Sequence, residues 1–254
     1  MSERRGIPHH LLDVLDVSET ASVAEFQARS RALIAELRGR GAAPVLVGGS
    51  ALYTRAILDR LEFPSTDPAV RRRLEDELAE HGSGALHRRL AELDPQAAQA
   101  ILPSNGRRVV RALEAIELTG EPWSASLPTQ EYAFDGVHQI GVAIDREALD
   151  ARIAERVDRM FADGFVAEVE ALLAAGLMEG VTASRAIGYR EVAAYLRGEL
   201  SEAEARQRTA TATRRFARRQ DSWFQKDPRI TWVRWDDPDR VEKALAVVRN
   251  HDQG

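Results

Sequence analysis

Apolar positions recur along this chain with two different periods, and the alternation between them sketches an architecture. Ile7-Pro-His-His-Leu-Leu-Asp-Val-Leu15 reads as a short, largely buried strand. The adjacent His9 and His10 then point to opposite faces and do not chelate one ion. Ser22-Val-Ala-Glu25 is a capping box, in which the serine side chain accepts from the N3 amide and the glutamate reaches back. Behind it, Phe26, Leu33, Ile34 and Leu37 predict a helix ending near Gly39 or Gly41. Pro44-Val-Leu-Val-Gly-Gly49 lacks polar alternation and predicts an interior strand of a parallel sheet. Its two terminal glycines permit a sharp turn or the close approach of a ligand. Ser50 opens a helix through Leu58. This grammar places ligands at the carboxyl ends of strands.

From Asp67 to Leu118 only helices are predicted. Pro68 sits in a first turn, Val70, Leu74 and Leu78 recur at helical spacing, and Gly82 breaks the run. Segments Ala85–Leu93 and Pro95–Leu102 follow, then a helix from Arg107 to Leu118. That helix carries Arg107, Arg108 and Arg111 near its start, where cations oppose the helix dipole. Local folding therefore does not account for them. Val137–Ile144 returns to strand, with Asp145 capping the next helix. Val157, Met160, Phe161, Phe165, Val169, Leu172 and Leu173 supply core positions, with breaks at Gly164 and Gly176. A helix is predicted around Ser184 to Leu196, then an arginine-rich helix, a strand at Ile230–Arg234, and a last helix over about Pro238–Arg249. There is no internal repeat and no low-complexity tract.

Charge sharpens this picture. The formal net charge of the 254 residues is −5, yet Ala205–Gln220 holds six arginines and no acid. An acidic chain that concentrates positive charge on one segment holds it for something negative. Guanidinium groups also fork onto phosphates and stack on bases, which ammonium groups do not do. On a helix Arg214 and Arg218 share a face, as do Arg215 and Arg219, and their repulsion is a local cost that phosphates relieve. Phe216 and Trp223 are expected to anchor the opposite, buried face. Arg190, in Gly188-Tyr-Arg, is a further anion ligand, with the glycine leaving room for something to approach. The chain has no cysteine, and hence no disulfide, thiolate metal site or cysteine nucleophile. No apolar run reaches the roughly 20 residues of a membrane span, and no secretory signal is visible. Those features point to a reducing, cytoplasmic setting. No nucleophile–base constellation, paired carboxylates or G-x-x-x-x-G-K-[ST] loop occurs in the 254 residues. The residues themselves stop at an α/β protein with a helical insertion that binds a polyanion, with RNA favoured.

Six segments also resemble one family. They are Gly6-Ile-Pro-His-His-Leu-Leu-Asp13, Val45-Leu-Val-Gly-Gly-Ser-Ala-Leu-Tyr53, Asp67-Pro-Ala-Val-Arg71, Arg107-Arg-Val-Val-Arg-Ala-Leu-Glu114, Ser184-Arg-Ala-Ile-Gly-Tyr-Arg-Glu191 and Thr213-Arg-Arg-Phe-Ala-Arg-Arg-Gln220 with Trp223. In that order and spacing, from residue 4 to about 235, they are similar to the tRNA dimethylallyltransferases. The resemblance implies an incomplete P-loop-kinase-like parallel sheet with flanking helices and an all-helical insertion domain. Residues 1–66 and 128–254 would form the α/β core, and 67–127 the tRNA-binding insertion.

It further implies transfer of a dimethylallyl group from dimethylallyl diphosphate to N6 of an anticodon-loop adenine, position 37, of tRNA. Arg190 would contact the diphosphate. Ser50, Arg71, Arg107, Arg108, Val109, Val110, Arg111, Thr213, Arg214, Arg215, Phe216, Ala217 and Arg218 would contact the tRNA. Magnesium would be the ion, the tRNA anticodon stem-loop the partner, and the protein a monomer away from membranes. The family's phosphate loop, with its magnesium ligand, and its aspartate base belong to a βα unit and strand preceding Gly6 in the family pattern. The chain is expected to lack them, so no catalytic residue and no metal ligand is assigned within it. Pro103-Ser-Asn-Gly106 departs from the family's Pro-Asn-Asp. The alternative is an inactive RNA-binding remnant of the same enzyme.

Overall fold

A computed structural model of the chain describes residues 4–64, 66–123 and 130–251. It separates into two compact units, Met1–Thr54 with Asp135–Gly254, and Arg55–Phe134. The expected division at Leu127 and Pro128 falls outside the described residues.

In the first unit, α1 (Val23–Gly39) begins where the capping residue predicts, with Ser22 Oγ accepting from the Glu25 amide at 3.4 Å. Only half of the expected box forms, because Glu25 turns along the helix and pairs with Arg29. After α2 (Ala51–Leu58) and the second unit, strand β1 (Gln139–Ala143) leads into α6 (Arg146–Ala162) and α7 (Phe165–Ala174). A short 3-10 turn at Ala183–Arg185, then α8 (Tyr189–Leu196) and α9 (Glu202–Phe224), precede β2 (Ile230–Arg234) and α10 (Arg240–His251). The two strands pair in parallel, Gln139 opposite Ile230 and Ala143 opposite Arg234. The α/β class holds, with a parallel pair as its sheet.

Helices α6, α7, α8 and α9 enclose one core. Ile153, Val157, Phe161, Phe165, Val169, Val192, Ala193, Ala205 and Ala210 are buried in it. Phe165 lies at its centre, edge-on to Phe161 at 5.6 Å and tilted against Tyr189 at 5.8 Å. Asp145 occupies the N-cap of α6, but its side chain makes no capping bond and pairs with Arg234 at 3.1 Å.

The second unit is helical, as its period predicts. Asp67 caps α3 (Pro68–Leu93), accepting from the amides of Ala69 and Val70, and Gly82 breaks its regularity at φ 74°. Helices α4 (Pro95–Ala100) and α5 (Gly106–Thr119) pack against it over Leu74, Leu86, Leu90, Ala97, Ile101, Val109 and Leu113. His87 Nε2 lies 3.0 and 2.8 Å from the carbonyls of Ala98 and Ile101. It therefore donates from that nitrogen to the end of α4, where carbonyls lack helical partners.

Three expectations are overturned. Residues 7–15 are not a strand: His9 and His10 are exposed, and Leu11 and Asp13 adopt positive φ, which no ladder accommodates. Residues 44–49 are not a strand either, with Val45 83% and Val47 89% exposed. In both places an apolar run is insufficient, since a strand exists only where a neighbour completes its hydrogen bonds. The helix expected over Ser184–Leu196 is divided, because Gly188 at φ 95° ends one turn and starts the next.

Candidate nucleic-acid interface

Helix α9 starts from a complete capping box, with Ser201 Oγ accepting from the Glu204 amide and Glu204 accepting from the Ser201 amide at 2.8 Å. Ala205, Thr209 and Ala210 turn inward, and Ala217 packs on the same core. Thr209, Thr211 and Thr213 each donate a hydroxyl 2.8 Å to the carbonyl four residues earlier. Those hydroxyls are satisfied within the helix while retaining acceptor capacity.

Five of the six arginines of this helix separate into two groups. Arg206 is spent on Glu202 and Asp158 and lies over the Phe161 ring. Arg214 reaches the carbonyl of Asp150 at 3.3 Å and its carboxylate at 3.9 Å. By contrast, Arg215 and Arg218 are exposed, and neither has a carboxylate partner among the described residues. Arg219 is also exposed and, among the described residues, lies over the Phe216 ring at 6.0 Å. The expected core role of the aromatic pair is incorrect, because Phe216 is 36% and Trp223 58% exposed. Both share the outer side of α9 with the unpaired guanidinium groups.

Gln220 ties this helix to the glycine turn. Its side-chain amide donates 2.6 Å to the Gly49 carbonyl, and a Cβ at Gly49 would overlap that amide nitrogen. Ser50 follows at once, its carbonyl accepting from the amide and hydroxyl of Thr54. Ser50 and the carboxyl half of α9 are thereby joined on one unit. Arg190 is the second residue of α8, exposed and without a side-chain partner among the described residues. The glycine before it makes room for the core and not for a ligand: a Cβ at Gly188 would come within 2.9 Å of Phe165 and 3.2 Å of Thr209. The same packing seats the start of α8 on α9. Tyr189 donates to Glu168 at 2.7 Å, and burial, reinforced by that carboxylate, pushes its phenol up to about 12.

In the second unit Arg107 and Arg108 open α5, exposed and unpaired among the described residues. Val109 and Val110, expected at the tRNA, are buried in the helical core, so their side chains hold the helix and present nothing outward. Arg71 and Arg111 converge on Glu114, a fully buried carboxylate that the residue pattern did not single out. Arg111 is its i,i+3 neighbour on α5, while Arg71 lies 43 positions upstream and is brought to it only by the fold.

Among the described residues, no group of three or more His, Asp and Glu is placed to hold a metal ion. No residue of the chain is assigned to the magnesium ion that the resemblance implies, and no step is routed through it. No described helix is long and apolar enough to cross a membrane.

A family model described as IPP transferase matches residues 1–227. A tRNA dimethylallyltransferase of a Nocardioides strain is 69% identical over 98% of this chain and 80% of its own length. One from Thermobifida fusca is 59% identical over 98% and 78%. Among solved structures, the full-length tRNA isopentenylpyrophosphate transferase of Bacillus halodurans superposes with a TM-score of 0.66 at 37% identity, covering 99% of this chain and 80% of that one. A eukaryotic dimethylallyltransferase captured acting on tRNA gives a TM-score of 0.84 at 25% identity, covering all of this chain and 67% of that one.

Proposed function

The chain belongs to the IPP transferase family, and from that premise we propose that it moves a dimethylallyl group from dimethylallyl diphosphate to N6 of an anticodon-loop adenine, position 37, of tRNA. The supporting observation is the outer side of α9, where Arg215, Arg218 and Arg219 stand exposed with no carboxylate partner among the described residues, beside a turn held by Gln220. Such a surface neutralises a phosphate backbone and releases its counterions, while the exposed Phe216 and Trp223 rings suit unstacked bases.

In the reaction, N6 of a flipped adenine attacks C1 of the donor. The new C–N bond forms as the C–O bond breaks, the electron pair leaves on diphosphate, and the N6 proton passes to a base to which no residue of this chain is assigned. The developing charge on the leaving group calls for a preorganised cation. Arg190 is assigned that role, since its guanidinium has no partner among the described residues and its backbone is fixed by the Gly188 contact with α9. Ser50 and Thr213 supply neutral polar contacts to the RNA.

The test is to incubate the chain with an unmodified tRNA transcript carrying adenine 37 and labelled dimethylallyl diphosphate. Stoichiometric recovery of label as N6-isopentenyladenosine is the expected result. Salt-dependent tRNA binding without any transfer would overturn the enzymatic reading.

A further inference from the structure

Glu114 is buried completely, on the inner side of α5. Its Oε1 accepts from the Asp67 amide at 3.1 Å, and its Oε2 accepts from Arg71 Nε at 2.7 Å, from Arg71 Nη2, and from Arg111 Nη1 at 2.9 Å. One carboxylate thus faces two guanidinium groups. The two arginines differ in what they have left to offer. Arg111 sends its Nη2 to the carbonyl of Pro64 at 2.6 Å, so both of its terminal nitrogens are committed. Arg71 is held along one edge only, and its Nη1 has no partner among the described residues. Its side chain is 34% exposed. A guanidinium clamped on one edge and open on the other, beside a second guanidinium, is arranged for an anionic oxygen.

We infer that Glu114 is a positioning residue, which fixes Arg71 so that its free Nη1 edge meets a phosphate of the bound tRNA, while Arg111 supports the arrangement and makes no RNA contact. The inference rests on the reading of the protein as a tRNA-modifying enzyme. Glu114 acts here through Arg71, because a buried carboxylate has no access to RNA and would repel it. Without it, two adjacent cations would lose the group that orients both.

A double-mutant cycle on tRNA binding tests this, using the full chain and an unmodified tRNA transcript. Arg71→Ala is expected to weaken binding about tenfold, as for the loss of one charge-assisted contact. Glu114→Gln is expected to weaken it by a similar factor, to raise KM for tRNA and to leave kcat within about twofold. In the Arg71→Ala background, Glu114→Gln should then add less than about twofold, since the residue it positions is gone. Arg111→Met should lower the melting temperature but leave the affinity of the folded protein within about twofold. If Glu114→Gln does not fold, Glu114→Asp keeps the charge but withdraws it by one methylene, and an affinity between wild type and Arg71→Ala is expected.

Wild-type affinity in a folded Glu114 variant, or additive losses in the cycle, would overturn the inference while leaving the enzymatic reading intact. A wild-type chain that neither binds nor modifies tRNA removes that reading, and this inference with it.

Discussion

Gln220 and Gly49, 171 positions apart in sequence, are joined by a 2.6 Å hydrogen bond from the glutamine side chain to the glycine carbonyl. The bond couples the far end of α9 to the turn that carries Ser50, and it needs a donor at Gln220. Replacing Gln220 by Glu keeps the shape but sets an acceptor against a carbonyl. A loss of about 1–3 kcal/mol is expected, seen as a drop of roughly 3–10 °C in thermal melting with a higher KM for tRNA. An unchanged melt together with an unchanged KM would contradict the coupling.

Gly188 is required twice, by its φ of 95° and by Phe165 and Thr209 at the place of a side chain. Gly188→Ala combines backbone strain with overpacking, about 2–4 kcal/mol in all. Urea denaturation should show the midpoint falling at constant m-value, and a midpoint equal to wild type would refute the packing argument.

Tyr189 keeps its proton to a higher pH when folded than when unfolded, its phenol being pushed up to about 12 from the ordinary 10. Between those values the unfolded chain has released a proton that the native chain still binds, so stability falls as pH rises. The stabilisation is complete below pH 10 and lost through pH 12. Wild type should therefore lose stability relative to Tyr189→Phe between pH 9.5 and 11.5 in parallel urea titrations. A difference constant over that range would show that the phenol is not perturbed.

The arginines of α9 should divide by their partners. Arg215→Ala and Arg218→Ala, each removing a cation that no carboxylate engages, are expected to weaken tRNA binding and to reduce the slope of log K against log salt by about one each. Arg214→Ala removes a residue tied to Asp150 and should lower the melting temperature with little change in slope. Equal slopes for all three variants would dissolve the distinction.

Arg190→Ala should lower kcat/KM for dimethylallyl diphosphate by about 100-fold, the scale for removing one preorganised group that stabilises developing charge. The Kd for tRNA measured without donor should stay within twofold. A loss confined to tRNA affinity would move Arg190 from the diphosphate to the RNA.

The helices of this protein are legible in its sequence because their signals are local. Ser22 and Pro68 mark starts, Gly82 marks an interruption, and the apolar period marks each buried side, whereas Gly188 divides a helix that the pattern predicts as continuous. The apolar runs at 7–15 and 44–49 carry β-branched composition but no information about a neighbour, and there the expectation of strands fails. The same limit applies to Phe216 and Trp223, whose exposure depends on what else folds against α9. At the candidate site, the arginine cluster was visible as composition, whereas its division into paired and unpaired members was not. Asp150, 64 positions before Arg214, and Glu114, 43 after Arg71, are unremarkable acids until the fold brings them to their partners.

The parallel register of Gln139 with Ile230 also has a temporal consequence. Those strands are separated by roughly 90 residues, so their pairing closes a long loop and is slow, whereas the α3–α5 contacts are nearer in sequence and form early. On the ribosome, residues 68–119 are complete and free to collapse while β2 is still unsynthesised. The helical unit should gain amide-exchange protection first in a pulse-labelling experiment, with the strand pair last.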